Sequence, residues 1–368
     1  MARAKNKKKN NFSIVDKIVL ILNGIAVALL LLSYLAPIVD PRDFTIIAIL
    51  GFGYLALLAT NCMFIIYWAV RFKIFFLISA LSILLGFKVL TANFGFNFQK
   101  QVARAEANIH MMAYNVHGFV GIDSYEGDSI HAGVLDLVND YQPDILNFEE
   151  FSEERNPNRL QIIDSVKKVL KTEHYFFKSF SKNRRQFSGN AIFTKFPIID
   201  TGVIPTPGFF KIRSIFVDLR YGKKTLRVYS VHLTAVNIQE NEKRRYLNGK
   251  LNVDNSTFIR NRLNSAFVLR SLEVSVIKKH MAKCPYPYIV AGDFNDTPNS
   301  FAVNTLSDGL KNTFIEKGNG LGATYYSKFS LLHIDYILTS PQFDVVNYQV
   351  IEKKLSDHKP IISELILR

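Results

Sequence analysis

The apolar run from Ile18 to Val39 constrains this chain more than any other feature; only small or weakly polar residues interrupt it, and Arg3, Lys5, Lys7, Lys8 and Lys9 precede it. About twenty apolar residues in a helix match the hydrocarbon thickness of a bilayer. A secretory signal has a shorter apolar core and a small-residue cleavage site. Here a second segment, Phe44 to Val70, follows after only Asp40-Pro41-Arg42-Asp43 and ends in Tyr67-Trp68, side chains suited to a membrane interface. A third, Ile74 to Leu90, is shorter and contains Lys88, whose stem can snorkel to the interface. The pattern predicts a basic tail (1–17) and a retained anchor of three transmembrane helices, 18–39, 44–70 and 74–90.

Orientation follows from the basic residues. The tail is strongly positive, the first loop has one Arg and two Asp, and the second loop has Arg71 and Lys73. The tail and second loop are therefore expected on the cytoplasmic side. Three crossings then make a multi-pass protein of the cell (inner) membrane with an extracytoplasmic soluble part; a third segment that does not cross reverses that side. The first 100 residues carry 11 Lys and Arg against three acids, so they hold +8 of the net +14. The basicity belongs mainly to this segment and is weak evidence that the remainder binds nucleic acid. Cys62 and Cys284 are the only cysteines, which argues against a disulfide framework.

After a linker, 91–106, residues 107–368 read as a soluble domain. Strands are predicted at 109–116, 145–148, 190–194, 212–219, 226–233, 288–291, 334–338, 345–350 and 361–367, and helices at 129–141, 157–170 and 258–281. The last helix has apolar residues at 263, 266, 269, 272 and 276, one expected buried face. Strands and helices mix without strict alternation, which predicts mixed sheets.

Polar residues stand at or just past the ends of these strands: Asn115, Glu149 and Glu150, His232, Asp293 and Asn295, and Asp357-His358. Singly, each has a plain structural reading as a turn, loop or rim residue. Asp335 is different, because Ile334 and Tyr336-Ile337-Leu338 flank it, and a carboxylate inside an apolar strand costs several kcal/mol unless it is paired or binds a metal. The set is rich in oxygen ligands and has no zinc-type cluster. It suits Mg²⁺ or Mn²⁺, which share their shell with water and substrate phosphates. A carboxylate-held His adds proton transfer near neutral pH.

From Ile109 to the C-terminus the chain resembles the endonuclease/exonuclease/phosphatase superfamily. The resemblance rests on seven motifs in the family's order: Tyr114-Asn115-Val116, Pro143-Asp144-Ile145 through Glu149-Glu150, Ser188-Gly189-Asn190-Ala191-Ile192, Val231-His232-Leu233, Gly292-Asp293-Phe294-Asn295, Ile334-Asp335-Tyr336-Ile337 and Ser356-Asp357-His358. It implies an α/β four-layer sandwich, two stacked mixed β-sheets flanked by helices, with a metal site at one end. It also implies roles: Glu150 as principal ligand of Mg²⁺ (or Mn²⁺), with Asn115 and Asp357 near the metal or its waters. Asp293 and Asn295 position or activate water and hold the phosphate, His358 oriented by Asp335 is the catalytic histidine, and His232 stabilises phosphoryl charge. His358 and Asp293 form an acid/base pair whose division of labour is open.

Two residues depart from the family pattern. Glu149 replaces a usual Gln, adding negative charge or a rival ligand, and His333 replaces a frequent Arg, weakening a phosphate contact. The expected substrate is a phosphodiester, DNA or RNA, with Lys182, Arg184, Arg185 and Lys243-Arg244-Arg245 as candidate backbone contacts. The alternatives are a lipid or small phosphomonoester or phosphodiester, a non-catalytic phosphate-ligand binding protein and, less favoured, a transporter subunit. No obligate protein partner is inferred.

Overall fold

The computed structural model describes residues 12–97, 108–121, 127–154, 161–180, 186–205, 213–236, 253–326 and 331–368. The basic runs at 182–185 and 243–245, and most of the 234–261 insertion, lie outside the described residues. In chain order the strands are β1 (Gly95–Phe96), β2 (Ile109–Asn115), β3 (Ile145–Glu154), β4 (Tyr175–Ser179), β5 (Gln186–Thr194), β6 (Ile198–Val203), β7 (Arg213–Tyr221), β8 (Lys224–His232), β9 (Tyr288–Asp293), β10 (Lys311–Asn312), β11 (Asn319–Gly320), β12 (Asp335–Thr339), β13 (Phe343–Val350) and β14 (Ile361–Leu367). Two six-stranded sheets, ordered β13-β14-β2-β3-β5-β4 and β10-β12-β9-β8-β7-β6, make the body; β1 pairs only with β11. The sheets are mixed, because β2–β3 and β8–β9 are parallel and the other pairs antiparallel.

Side chains alternate across each strand. Met111, Ala113 and Ile145 of one sheet meet Val217, Val228, Ile289 and Ile337 of the other in the central core. Their neighbours Met112, Tyr114, Leu146 and Phe148 pack outward in a cluster with Ile130, Val134 and Leu137 of the helix Gly127–Tyr141 and Val166 of Ile162–Leu170. Tyr229, Val231, Val290 and Leu338 pack likewise on Val274 and Ile277 of Val253–Met281 and on Ala302 and Leu306 of Phe301–Ser307. The central strands are thus buried on both faces, which is why they read as unbroken apolar runs.

The long helix Val253–Met281 buries a different stripe from the predicted one. Ala266, Phe267, Arg270, Val274, Ile277 and Met281 are inside, and only Ala266 belongs to the expected face. The reason is that polar residues here enter the interior with partners. Glu273 takes bonds from the Thr234 N–H (2.9 Å) and hydroxyl (2.8 Å), and Arg270 lies beside Asp296.

Of the three expected spans, one is a single straight helix. This helix, α1 (Ile14–Ser33), has a mean hydropathy of 2.3 and starts at a capping box between Ser13 and Asp16. The second is broken at Gly53 into α2 (Thr45–Phe52) and α3 (Tyr54–Val70), bent by 62°. The third is broken at Gly86 into α4 (Phe76–Leu85) and α5 (Phe87–Asn93), bent by 73°. The Tyr34 ring lies against Gly86 where a Cβ would stand, and its hydroxyl donates to the Ser82 carbonyl at 3.0 Å near the break.

This helical unit touches the sheet domain through its first turn. Asn299 Nδ2 donates to the Ser33 carbonyl (3.0 Å), Asn304 Nδ2 to the Pro37 carbonyl (2.9 Å) and Ser271 Oγ to Asp40 Oδ1 (2.7 Å).

Candidate active site

Strand register brings the polar residues to one end of the sandwich. Asn115 pairs with Glu149 across the parallel β2–β3 ladder, His232 with Asp293 across β8–β9, and Asp335 with Asp293 across β9–β12. Between Phe148 and Phe151 the ladder to β5 slips by one residue, and Glu150 at this bulge has φ +50°. The bulge separates two adjacent acids: Glu149 is fully buried and Glu150 is partly open to solvent. Gly292 has φ +135°, and a Cβ there would collide with the Val231 carbonyl and stand 2.7 Å from Glu149 Oε1, so only glycine fits beside Asp293.

All eight predicted site residues join one network. Asp293 is held by Asn115 Nδ2 (3.0 Å), the Asn295 N–H (2.7 Å) and Asn295 Nδ2 (3.0 Å). His358 Nδ1 bonds both Asp335 oxygens, at 3.1 and 3.0 Å, and its Nε2 lies 3.7 Å from Asp293 Oδ2. His232 Nε2 stands 3.6 Å from Glu150 Oε1 and 3.9 Å from Asp293 Oδ2. Asp357 enters through His117, whose Nδ1 is 3.2 Å from Asp357 Oδ1 and 3.8 Å from Glu150 Oε2.

Electrostatics separates these groups. Burial pushes the Asp293 carboxyl up, to about 6, against the opposing pull of His358. Burial would lower His358, but Asp335 and Asp293 outweigh it and raise it to about 10. For His232, burial wins over Asp293 and Glu150, and its basicity is lowered, so it is neutral at pH 7. Glu150 moves the other way: burial raises it, but His232 and His117 hold it below the ordinary carboxyl range.

Both departures from the family pattern find a physical account. Burial, then Asp335 and Asp293, push Glu149 well above the usual carboxyl range, which disfavours its charged form. A protonated Glu has the shape of the Gln usual in the family, so this shift reduces the charge and the ligand rivalry that Glu149 brings. His333 is buried and lowered to about 3 by burial, and it stacks on Tyr336 at 4.6 Å and meets the Phe314 edge at 4.6 Å. It is a core side chain with no phosphate to reach.

Five neighbours carry no role in the sequence reading: His117, Asn190, Ser230, Arg213 and Phe180. His117, two residues after Asn115, was legible only as part of a turn. Asn190 stood inside a quoted motif without a role, and it donates to the Arg213 carbonyl (3.0 Å) and Ser230 Oγ (3.3 Å). Ser230 bonds Glu149 at 3.3 Å. Asn190, Arg213 and Phe180 line a cavity of about 190 Å³ that opens from Glu150 and His232. A larger cavity, about 520 Å³, lies around Lys317 and Asn347 and contains none of the site residues.

Residues 112–358 match the endonuclease/exonuclease/phosphatase family, and 16–93 match a domain of unknown function (DUF8431). None of the curated proteins matches. Among solved structures the chain is similar to an endonuclease/exonuclease/phosphatase from Beutenbergia cavernae, with 18% identity, TM-score 0.53, and 71% of this chain and 72% of that one covered. It is similar to the human nocturnin catalytic domain, with 17% identity, TM-score 0.51 and coverages of 74% and 98%. Humanized TDP2 from D. rerio gives 16% identity, TM-score 0.50 and coverages of 71% and 99%. The family match spans most of the chain: the protein belongs to the endonuclease/exonuclease/phosphatase family. It is a metal-dependent hydrolase of phosphate esters.

The residues fit a divalent ion. Glu150, Asp357 and Asn115 supply hard oxygens, and His232 Nε2 is buried beside them without a hydrogen-bond partner. Donor atoms of Asp293, Asp335 and His358 also lie within 4.8 Å of one another. In that trio, however, both Asp335 oxygens already bond His358 Nδ1, so they are engaged with the imidazole.

Proposed function

We propose that this protein is a membrane-anchored phosphodiesterase, with nucleic acid as substrate and Mg²⁺ or Mn²⁺ as cofactor. The observation that carries the reading is the Asp335–His358–Asp293 chain ending beside the Glu150 and Asp357 carboxylates. Glu150, with Asn115 and Asp357, would hold the ion, and the chemistry it would supply there is neutralisation of charge on the phosphoryl oxygens. Asp293, fixed by Asn115 and Asn295 and raised towards neutrality, takes the proton of the attacking water as the bond from phosphorus to the leaving oxygen breaks, and that oxygen takes its proton from solvent. His358, kept as an imidazolium by Asp335, meets the developing oxyanion, and neutral His232 donates a hydrogen bond to it. Phe180 and Arg213 beside the site offer a ring for base stacking and a guanidinium for a second phosphate.

The test is hydrolysis of DNA, RNA, bis-phosphodiester dyes, sphingomyelin and inositol phosphates by the purified protein with Mg²⁺ or Mn²⁺. Glu150→Ala and His358→Ala should each lower cleavage of nucleic acid by about 10²-fold or more while the fold remains. Retained activity in both variants sinks the mechanism. Activity confined to sphingomyelin or inositol phosphates replaces the substrate, a reading that the apolar α1 favours.

The anchor reading rests on an inside-out helical unit. Ile18, Ile21, Leu22, Ile25, Met63 and Ile66 are exposed, while Asn23, Asn61, Ser79 and Ser82 are inside. Asn23 Nδ2 donates to Ser79 Oγ (2.6 Å), Ser79 Oγ to Asn61 Oδ1 (2.9 Å) and Trp68 Nε1 to Asn23 Oδ1 (3.0 Å). Apolar outside and hydrogen-bonded polar inside is the arrangement lipid demands. The first turn, 34–43, meets the sheet domain, whereas Arg71 of the second loop pairs with Asp16 at the far end of α1, at 2.9 Å. If the basic end is cytoplasmic, the catalytic domain is extracytoplasmic, as three crossings require. A C-terminal reporter active only outside the cytoplasm should give signal; signal from a cytoplasm-only reporter refutes this orientation.

A further inference from the structure

Opposite His232, the Glu150 carboxylate faces a second imidazole, that of His117. Its position is imposed by the backbone: His117 has φ +47°, followed by Gly118 at +60°. Left-handed backbone at a residue other than glycine is strained and persists only where the surroundings enforce it. Three bonds do so here. The His117 N–H donates to Asn115 Oδ1 (3.0 Å), the Val116 N–H to the Glu149 carbonyl (3.0 Å) and the Phe119 N–H to the Val116 carbonyl (2.8 Å). The strained turn carries the ring to the mouth of the site, with Nδ1 3.2 Å from Asp357 Oδ1 and 3.8 Å from Glu150 Oε2.

Those separations fall in the range of atoms that share one ion. Ligands about 2.1 Å from an octahedral divalent cation stand about 3 Å apart when adjacent and about 4 Å apart when opposite. All three side chains are partly open to solvent, with 43% of His117, 35% of Glu150 and 23% of Asp357 exposed, so an ion can enter and retain waters. We propose that His117 Nδ1 is a ligand of the divalent ion together with Glu150 and Asp357, and that this nitrogen makes the site prefer Mn²⁺ to Mg²⁺. Mg²⁺ gains little from imidazole, whereas a transition-metal ion gains from a nitrogen donor. The inference rests on the placement of the ion at Glu150.

The experiment is pulsed electron paramagnetic resonance of Mn²⁺ bound to the full-length protein in detergent, with Mn²⁺ and Mg²⁺ titrated calorimetrically. The wild type should show nitrogen modulation from a directly bound imidazole. In His117→Ala that modulation should vanish, Mn²⁺ affinity should fall about tenfold or more, and Mg²⁺ affinity should change less. His232→Ala should keep the nitrogen signal. Nitrogen modulation that survives in His117→Ala, or equal weakening of both metals, overturns the proposal and leaves His117 as a hydrogen-bond partner of Asp357. Unchanged Mn²⁺ binding in Glu150→Ala would instead remove the underlying metal placement, so the two failures read differently.

Discussion

Asp335→Asn is expected to lower kcat by about 10²- to 10⁴-fold and to remove the alkaline limb from its wild-type position. Asp335 is almost fully buried on β12 and gives both oxygens to His358 Nδ1, at 3.1 and 3.0 Å. The amide keeps the shape and can still accept one bond, but it removes the charge. The sign follows from the balance of causes: burial lowers His358, and only the carboxylates carry it to about 10. Without Asp335 the burial contribution is no longer outweighed to the same extent, so the imidazolium is lost at lower pH. In the wild type, kcat/KM should rise as Asp293 ionises near pH 6 and fall as His358 deprotonates near pH 10. A pH profile of the variant with its alkaline limb unmoved would deny His358 the role of cation.

Those partners were legible in the sequence for a simple reason. A carboxylate between Ile334 and Tyr336 had to have a partner, and the Asp357-His358 turn lay in the same run of motifs. Most of the long strands were legible too, because two-sided burial makes β9 and β12 almost wholly apolar, whereas the edge strands β4 and β6, with no buried residue, carry no such pattern. What escaped was whatever depends on a second element. The bulge that parts Glu149 from Glu150 arises from pairing with β5, so residue pattern alone does not separate the two acids, and only the family resemblance singles out Glu150. The raised pKa of the Glu149 carboxyl depends on burial between sheets, which no local pattern encodes. The break at Gly86 lies where the Tyr34 ring packs, a contact no local pattern encodes, and hydropathy averages across both this break and the one at Gly53. The stripe of Val253–Met281 was misplaced because periodicity counts Arg270 and Glu273 as solvent residues, whereas Asp296 and Thr234 hold them inside.

Arg270 is where that misreading has the largest energetic consequence. Its side chain is fully buried, its Nη1 donates to the Asn295 carbonyl, its Nε lies 3.3 Å from Asp296 Oδ2, and the guanidinium covers Phe267 at 4.9 Å. Asp296 is equally buried, and burial already raises it against the pull of Arg270. Arg270→Met therefore leaves a buried carboxyl without its cation, a loss of about 3–5 kcal/mol, or roughly 10 °C in Tm for a domain of this size. A second effect falls on the site. Asn295 sits at φ +53° while its N–H and side chain hold Asp293, and the Arg270 bond to its carbonyl fixes that conformation. Replacing both members of the pair, Arg270→Met with Asp296→Leu, should recover most of the lost stability, because two apolar side chains need no partners. It should not recover kcat, since the Asn295 carbonyl still lacks its donor. Thermal unfolding and kcat measured on the single and double variants separate the two effects. Recovery of both together would make Arg270 a purely structural residue, whereas recovery of stability alone assigns it the positioning of the loop that carries Asp293.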